Sequence, residues 1–276
     1  MDAQSGAIAA KTMPNTRSWW DERFTHFILD AIPKDCQQVV EYGCVNANAA
    51  HALLPALPAA HYVGIAVKNE ILREAERQVM SSSEASRISL RLGDARDLPI
   101  PDTTTDVFLS VLALQHCTNV KTLLAGELPR ILRPGGHFVA IEPDNLGQRF
   151  YYDGVLEEIT QTFHAFCLRA RVLRQPADIA IGPRLPALLK HAGFANIQFE
   201  MHLVGSTRYE TAKAFCDRVS RVAEQTAKLA GIYAETEEYR AVVQAIRRFR
   251  FSGLPKRLGH SAHLVPAFRV SATLQG

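Results

Sequence analysis

The stretch CQQVVEYG, residues 36–43, decides the fold class of this chain. Its centre is apolar and β-branched and a glycine ends it, which is the pattern of a buried strand that enters a turn. Residues 48–57 are rich in alanine and leucine and predict a helix. The apolar run 61–67 then predicts a second strand. This order predicts two parallel strands joined by a crossover helix.

The same alternation continues to residue 142. Strands are predicted at 88–92, 106–114 and 137–142, and helices at 69–80 and 120–132. The strand at 106–114 is almost continuously apolar, as expected for a central parallel strand. The fold class is therefore predicted to be α/β, with a doubly wound sheet that binds ligands at the carboxyl ends of its strands.

The rest of the chain is predicted to add helices and two more strands to this core. Helices are expected at 17–32, 146–175 (one long or two short), 183–191 and 208–250, and strands at 195–204 and 263–274. We therefore expect N-terminal lid helices (1–35), a ligand-binding core (36–145, 182–205 and 259–276), and two helical insertions (146–181 and 206–258) that cap the ligand edge.

Composition narrows the class of protein. The chain has 276 residues, 47% of them hydrophobic and 21% charged, which is typical of a globular protein of one or two domains. A formal charge of +3 does not suggest nucleic-acid binding, and no apolar run is long enough for a membrane helix. The N-terminal residues lack the pattern of a secretory signal.

The five cysteines carry no metal-binding or disulfide pattern. They lie at positions 36, 44, 117, 167 and 216, and no two form a Cys-x-x-Cys pair. An odd number without such spacing argues against a disulfide framework and a structural zinc site. We expect reduced, mostly structural thiols in the cytoplasm and no bound metal.

Polar residues at the predicted strand ends are the candidates for chemistry. Glu41 stands just before Gly43, where the backbone can approach a ligand. Asp94 follows the third strand, and the fourth strand ends in Leu114-Gln115-His116. The Gly-x-Gly-x-x-Gly fingerprint of dinucleotide-binding dehydrogenases is absent after the first strand.

Residues 37–142 resemble the class I S-adenosylmethionine (SAM) dependent methyltransferases, in their small-molecule branch. The resemblance is carried by five blocks in the family's order: Gly93-Asp94-Ala95, Leu98-Pro99, Asp106-Val107-Phe108, Leu114-Gln115-His116 and Leu132-Arg133-Pro134-Gly135-Gly136. Glu142-Pro143-Asp144-Asn145 is also similar to members of this group. The resemblance covers about two fifths of the chain and implies a Rossmann-like sheet of seven strands, with SAM as cofactor.

The resemblance also implies roles for individual residues. Glu41 and Gly43 would border the methionine part of SAM, Asp94 would accept from the adenine amine, and Ala95 would donate its backbone N–H. Leu114, Gln115 and His116 would line the pocket near the sulfonium. Ala66 and Val67 stand where the family meets the ribose. Trp20 and Arg23 belong to a segment similar to the family's lid helix, in which Arg23 or Arg17 would pair with the methionine carboxylate.

Two positions depart from the family's pattern. The first loop is usually Gly-x-Gly-x-Gly but here is Gly43-Cys44-Val45-Asn46-Ala47, and Ala66 replaces the usual ribose-binding acid. Three explanations stay open. Lys68, Asn69 or Glu70 compensates for the missing carboxylate, SAM binds in a shifted pose, or the site is degenerate.

The acceptor side of the site is less defined by the sequence. His116 is the candidate general base because an imidazole titrates near neutral pH, although it also fits a pocket-lining role. Tyr152 is a second catalytic candidate, and Tyr151 and Asn145 are candidate substrate contacts, although both tyrosines also fit a core. His164 is expected to be a packed, hydrogen-bonded core histidine. The basic residues within 247–257 fit a solvated face or an anionic substrate.

The leading hypothesis is methyl transfer from SAM to an O, N or C atom of a small molecule, and a secondary metabolite is the expected kind. One alternative is an enzyme of the same fold that cyclises or cleaves SAM and releases methylthioadenosine. The other is a non-catalytic, methyltransferase-like partner subunit. A homodimer is compatible with the helical insertions.

Overall fold

The computed structural model describes residues 20–152, 157–173, 178–231, 236–250 and 258–275, without the side chains of Glu157 and Arg250. The chain divides into two compact units. The first unit contains Met1–Pro143, Ile181–His202 and Ala267–Gly276, and the second contains Asp144–Ala180 and Leu203–Pro266.

The described residues form eight strands and nine α-helices. The strands are β1 (Gln38–Tyr42), β2 (His61–Ala66), β3 (Ile88–Leu92), β4 (Thr105–Val111), β5 (Leu132–Pro143), β6 (Arg149–Tyr152), β7 (Phe194–Thr211) and β8 (Leu258–Leu274). The helices are α1 (Glu22–Leu29), α2 (Asn48–Leu53), α3 (Asn69–Val79), α4 (Val120–Thr122), α5 (Leu128–Ile131), α6 (Glu157–Leu173), α7 (Leu185–His191), α8 (Ala212–Leu229) and α9 (Glu237–Arg250).

The sheet of the first unit has the order β3-β2-β1-β4-β5-β8, and β7 also pairs with β8. The first five strands are mutually parallel, whereas β8 runs antiparallel to β5. The chain order changes direction at β1, where β2 and β4 are both neighbours, and this is the signature of a doubly wound sheet. The predicted α/β class and doubly wound order are confirmed.

The core of the first unit explains why these strands read as apolar runs. Val40, Ile65, Phe108 and Phe138 are fully buried or nearly so and belong to one apolar cluster. Strands covered on both faces have no side left for polar residues, so alternation disappears. The N-terminus of α1 is fixed by Asp21, whose carboxylate accepts from the backbone N–H of Phe24 at 2.8 Å.

The second unit has its own core and one strand that the sequence prediction missed. Phe150, Phe163, Phe166 and Phe215 are buried together in its apolar cluster. Helices were predicted throughout 146–175, but Arg149–Tyr152 is a strand that pairs antiparallel with residues 261–264 of β8. The partner is more than a hundred residues away in the chain, so no local pattern signals this pairing.

Three further boundaries differ from the prediction. β4 ends at Val111 rather than at residue 114 because Leu112 has a positive φ of 60°, which an extended strand does not allow. The helix predicted at 120–132 is interrupted by a π-helical turn, Leu123–Glu127. Residues 208–211, predicted as helical, are the end of β7. Among the described helices, none has the length and hydropathy of a membrane-spanning segment.

Candidate cofactor-binding site

The strand order places the ends of β1 and β4 at the switch point of the sheet. Ligands of doubly wound sheets bind beside such a point, at the carboxyl ends of the strands. Here a pocket is lined by residues that follow both strands and by one residue that precedes α1. Its lining comprises Trp20, Glu41, Gly43, residues 45–49, Val111 and Leu112. The structure thus brings together Trp20, Glu41 and Gly43, three of the residues predicted from the sequence.

Gly43 begins the loop after β1, and no other residue suits its position. Its φ is +83°, in the left-handed region that favours glycine. A side chain there would also collide with the Cβ of Ala113, which follows β4. Gly43 therefore lets the chain segments after β1 and β4 approach each other closely.

Ala47 ends the same loop and caps α2 in a left-handed conformation, with φ 53° and ψ 22°. This conformation costs a residue with a Cβ about 1–2 kcal/mol. The loss of glycine at this position has therefore not changed the backbone into an ordinary one. The loop keeps a shape for which glycine is the favoured residue.

Glu41 is the buried carboxylate of the pocket. It is 5% exposed, and its Oε2 accepts a hydrogen bond from the hydroxyl of Tyr62. The thiol of Cys44 is a further hydrogen-bond partner of the Glu41 carboxyl. Burial raises the pKa of Glu41 to about 7, against the lowering effect of these two hydrogen bonds. An added positive charge in the pocket would favour its ionised form.

Asn48 contributes an unused donor to the pocket. Its Nδ2 is buried and has no hydrogen-bond partner. Leaving a buried amide unpaired is unfavourable, so such an atom in a pocket lining indicates a group that a ligand completes. The sequence pattern alone gave no role to this asparagine, which follows the loop after β1.

Leu114 and Gln115 lie at the end of β4, and their backbone is held by a residue that sequence reasoning left without a role. Both donate their backbone N–H to the carboxylate of Glu142, at 2.8 and 3.3 Å. Ala113 N and the Ser110 hydroxyl donate to the same carboxylate at 3.0 and 3.1 Å. Glu142 is fully buried, and burial raises its pKa to about 7. It fixes the backbone that faces Gly43.

His116 closes the turn that follows β4. Its backbone N–H donates to the carbonyl of Ala113 at 3.0 Å, within the short 3-10 turn Leu114–His116. Its side chain is partly exposed. The position keeps the imidazole on the segment held by Glu142, and its role as a base stays a prediction.

Asp94 and Ala95 follow β3, as the sequence predicted. The Asp94 carboxylate accepts from the backbone N–H of Arg96 at 2.9 Å and from its guanidinium at 2.8 Å. The side-chain hydrogen bond from Arg96 is the main reason why the pKa of Asp94 is lowered. Ala95 is buried. Neither lines the pocket described above.

β2 ends at Ala66, and Val67 follows it in a different environment. Ala66 is completely buried, whereas Val67 is 40% exposed.

Arg23 is exposed on α1, and Trp20 packs edge-to-face on Phe24 with 5.3 Å between the ring centroids. Arg17, the other candidate partner of the methionine carboxylate, lies outside the described residues.

The predicted acceptor contacts Tyr151, Tyr152 and Asn145 belong to the second unit. The Tyr152 hydroxyl donates to the carbonyl of Glu210 at 3.1 Å, and its ring is buried beside Phe215. Asn145 donates its side-chain amide to the carbonyl of Ile179 at 2.7 Å. Tyr151 is 52% exposed. These positions favour a core role for Tyr152, and its catalytic role stays a prediction.

Two other sequence expectations concern this unit. His164 was expected to be hydrogen-bonded, but its Nε2 is buried with no partner, and burial lowers its pKa. In the basic stretch 247–257, Arg248 pairs with Glu158. The Arg250 side chain and residues 251–257, which include Lys256 and Arg257, lie outside the described residues.

Comparison with known proteins gives the class. Residues 40–140 match the methyltransferase domain family. A demethylmenaquinone methyltransferase of Symbiobacterium thermophilum is 27% identical over 203 residues, which cover 68% of this chain and 80% of that protein. A phthiotriol/phenolphthiotriol dimycocerosates methyltransferase of Mycobacterium tuberculosis is 28% identical over 165 residues, 57% of this chain and 59% of that protein.

A solved structure supports the same fold. Phosphoethanolamine N-methyltransferase 2 of Haemonchus contortus, in complex with SAM, aligns with a TM-score of 0.52 at 13% identity, over 99% of this chain and 58% of that chain. The family match and these relatives support a SAM-dependent methyltransferase that acts on small molecules, with SAM as its cofactor. The alternatives of SAM cleavage and of a non-catalytic partner are not favoured by these comparisons.

The pocket at the end of β1 fits this cofactor. The unpartnered Nδ2 of Asn48 offers a donor for the carboxylate of SAM, and Glu41 offers a carboxylate for its positive charge. Gly43 lets the segment after β4 pack closely against the loop after β1, beside this pocket. The fit rests on these three residues. The pocket brings them together although the loop lacks the other two glycines of the family's pattern.

Proposed function

We propose that this methyltransferase acts on a hydroxylated aromatic acceptor of the reduced-quinone type and methylates a ring carbon or a hydroxyl oxygen. Two relatives carry the name demethylmenaquinone methyltransferase, at 27% and 24% identity, and another is a ubiquinone/menaquinone biosynthesis C-methyltransferase at 26%. The observation that carries the catalytic part is the pocket that joins Glu41, Gly43 and Asn48 at the switch point.

Different residues are proposed to bind different parts of SAM. Bound SAM supplies an electrophilic methyl group on a sulfonium sulfur. In the proposal, Glu41 faces the positive end of the amino-acid part, Asn48 donates to its carboxylate, and Trp20 covers it. Asp94, Ala95, Ala66 and Val67 are assigned to the adenosine part. Holding the acceptor in line with the methyl group supplies much of the rate enhancement.

His116 is the proposed base of the reaction. An acceptor hydroxyl becomes a better nucleophile when it loses its proton, and a neutral imidazole can take that proton near pH 7. When a ring carbon takes the methyl group, that carbon then loses its own proton to restore the aromatic ring. Glu142 acts on this step only through the backbone, because it anchors residues 113–115, which carry the histidine. Tyr151 and Asn145 stay the candidate acceptor contacts predicted from the sequence.

The test is product analysis by mass spectrometry. The full chain is incubated with SAM and a prenylated naphthohydroquinone, with a phenol and a primary amine as comparison acceptors. We expect S-adenosylhomocysteine and a quinol product heavier by one methyl group. Transfer to the amine alone would overturn the acceptor class. Release of methylthioadenosine without any acceptor would overturn methyl transfer itself.

Two finer expectations accompany this proposal. We place the enzyme in the cytoplasm, where its five buried, free cysteines would stay reduced. We also propose a homodimer, for which light scattering on the purified protein should give twice the chain mass of 30.6 kDa. A single-chain mass at micromolar concentration would refute the dimer.

A further inference from the structure

A second pocket lies wholly within the second unit, between the end of β7 and the first half of α8. Its volume is about 570 Å³. Six charged side chains line it: Arg208, Glu210, Asp217, Arg218, Arg221 and Glu224. The helix residues among them recur at spacings of three and four, so they share one face of α8. Methyl transfer as proposed above uses none of them.

Arg218 is the innermost of these side chains and is only partly satisfied. It is 14% exposed, and its Nη2 bonds to Glu210 and, at 3.1 Å, to the hydroxyl of Ser261. The guanidinium lies 5.6 and 5.4 Å from the ring centroids of Phe150 and Phe215. Its Nε and Nη1 are buried and have no hydrogen-bond partner. Each of these N–H groups is a charged donor that an oxygen of a carboxylate or phosphate satisfies.

The acidic residues of the pocket do not cancel its arginines. Glu210 is already bonded to Arg218 and Ser261. Asp217 pairs with Lys213 at 2.8 Å on the same helix. Within the described parts of the chain, Arg208 and Arg221 form no ion pair. Glu224 is exposed and is the one acidic group of the lining without an ion pair in those parts. The free charges therefore sum to a positive rim.

His263 lies inside the second unit and is affected by the charges of Arg218 and Arg208. Its ring stacks on Phe150 at 4.0 Å and bonds to Gln148 at 3.0 Å. Burial is the first cause that lowers its pKa to about 4, and Arg218 and Arg208 follow as the electrostatic causes. Burial first, and then the charges of Arg218 and Arg208, favour the neutral form of this histidine.

We propose that this pocket binds the carboxylate or phosphate group of a small organic ligand. Arg218 makes the inner contact through one of its unpaired N–H groups, after the small side-chain adjustment that is common on binding. Arg208 from the strand and Arg221 from the helix hold the outer side of the anion. The volume of the pocket leaves room for an organic part beyond the anionic group.

Calorimetric titration of the full chain with inorganic phosphate, and separately with malonate, tests this site at constant ionic strength. We expect saturable binding of at least one anion, and the stronger one identifies the preferred group. The Arg208→Ala/Arg221→Ala double variant should bind about tenfold more weakly, since two charge-assisted contacts are lost. Arg171→Ala, an exposed helical arginine of the same unit outside the pocket, is the matched control and should bind like wild type.

Two further variants sharpen the result. Glu224→Gln removes the free carboxylate and should tighten anion binding about twofold to threefold. Arg218→Lys keeps the charge but loses the directed N–H groups of the guanidinium, and should weaken anion binding if its melting temperature shows a folded protein. The proposal fails if neither anion binds saturably, or if the double variant and the Arg171→Ala control bind with equal affinity. Neither outcome bears on methyl transfer.

Discussion

The strands β1 and β5, which lie on either side of β4, each end near a buried glutamate, and the two glutamates differ in their hydrogen-bond partners. Glu142 receives four hydrogen bonds from the protein, three of them from backbone N–H groups. Glu41 has a tyrosine hydroxyl and a thiol as partners, and it lines a pocket. Burial raises the pKa of both to about 7. A similarly raised pKa therefore accompanies two different sets of hydrogen-bond partners.

The difference teaches how to separate a structural carboxylate from a binding one. A carboxylate that the protein has already saturated holds the chain in place, so its loss should appear in stability. Glu41 faces a pocket beside the unpartnered amide of Asn48 and is available to a ligand. Its loss should therefore lower the affinity for SAM. The five predictions below run from the largest expected effect to the smallest, and the first four test that separation.

Replacing Glu142 with alanine should lower the free energy of unfolding by about 4 kcal/mol, because several buried backbone donors lose their acceptor at once. Urea denaturation measures this loss. Ser110→Ala is the matched control: it removes one of the four hydrogen bonds and should cost about 1 kcal/mol. Equal losses in the two variants would contradict a role for Glu142 as the common anchor.

Replacing Glu41 with glutamine should weaken SAM binding about thirtyfold at pH 8, because a hydrogen bond or contact to an ionised carboxylate is lost. Calorimetry measures the dissociation constant. The wild-type affinity should rise between pH 6 and pH 8 as Glu41 ionises, whereas the variant lacks this contribution. Parallel pH profiles for the two proteins would show that Glu41 does not meet the cofactor.

The contribution of Glu41 to folding stability should fall as the pH rises, whereas its contribution to SAM affinity should increase. The folded pKa of Glu41, about 7, lies above its ordinary value of 4.5. The group therefore contributes stability that is fully present below pH 4.5 and is lost as the pH rises through 7. Relative to the glutamine variant, the wild type should become less stable over this window. A constant difference between the two melting curves would contradict the raised pKa.

Asn48→Ala should weaken SAM binding about tenfold and change the free energy of unfolding by less than about 0.5 kcal/mol, because the removed amide N–H has no partner in the protein. Asn119→Ala, in a turn outside the pocket, serves as control for both measurements. A stability loss without an affinity loss would place Asn48 with the structural residues, beside Glu142.

Ala47→Gly should raise the free energy of unfolding by about 0.5 kcal/mol, since relief of the left-handed strain exceeds the entropic cost of glycine. Ala49→Gly, two residues further on within α2, should lower it by about 1 kcal/mol. Thermal or urea unfolding of both variants measures these two changes in the free energy of unfolding. A loss in both would mean that the loop is not strained.

Part of the cofactor site could be predicted from the sequence because its residues are adjacent in the chain. Glu41 and Gly43 stand at the end of one strand pattern, and the blocks up to residue 136 follow in the family's order. Trp20 was placed by the resemblance alone, and the structure puts it in the same pocket. Tyr62, Asn48 and Glu142 were not assigned, because their roles depend on contacts between separate strands and loops.

The sequence by itself determined the α/β class, the parallel core and the methyltransferase family, because periodicity and motif order are local properties of the chain. Only the tertiary structure decided that Glu142 anchors the end of β4, that β6 pairs with β8, and that Arg218 keeps two unpaired N–H groups. The physical reason is the same in each case. Strand register and burial bring together groups far apart in the chain, and hydrogen bonding is settled only there.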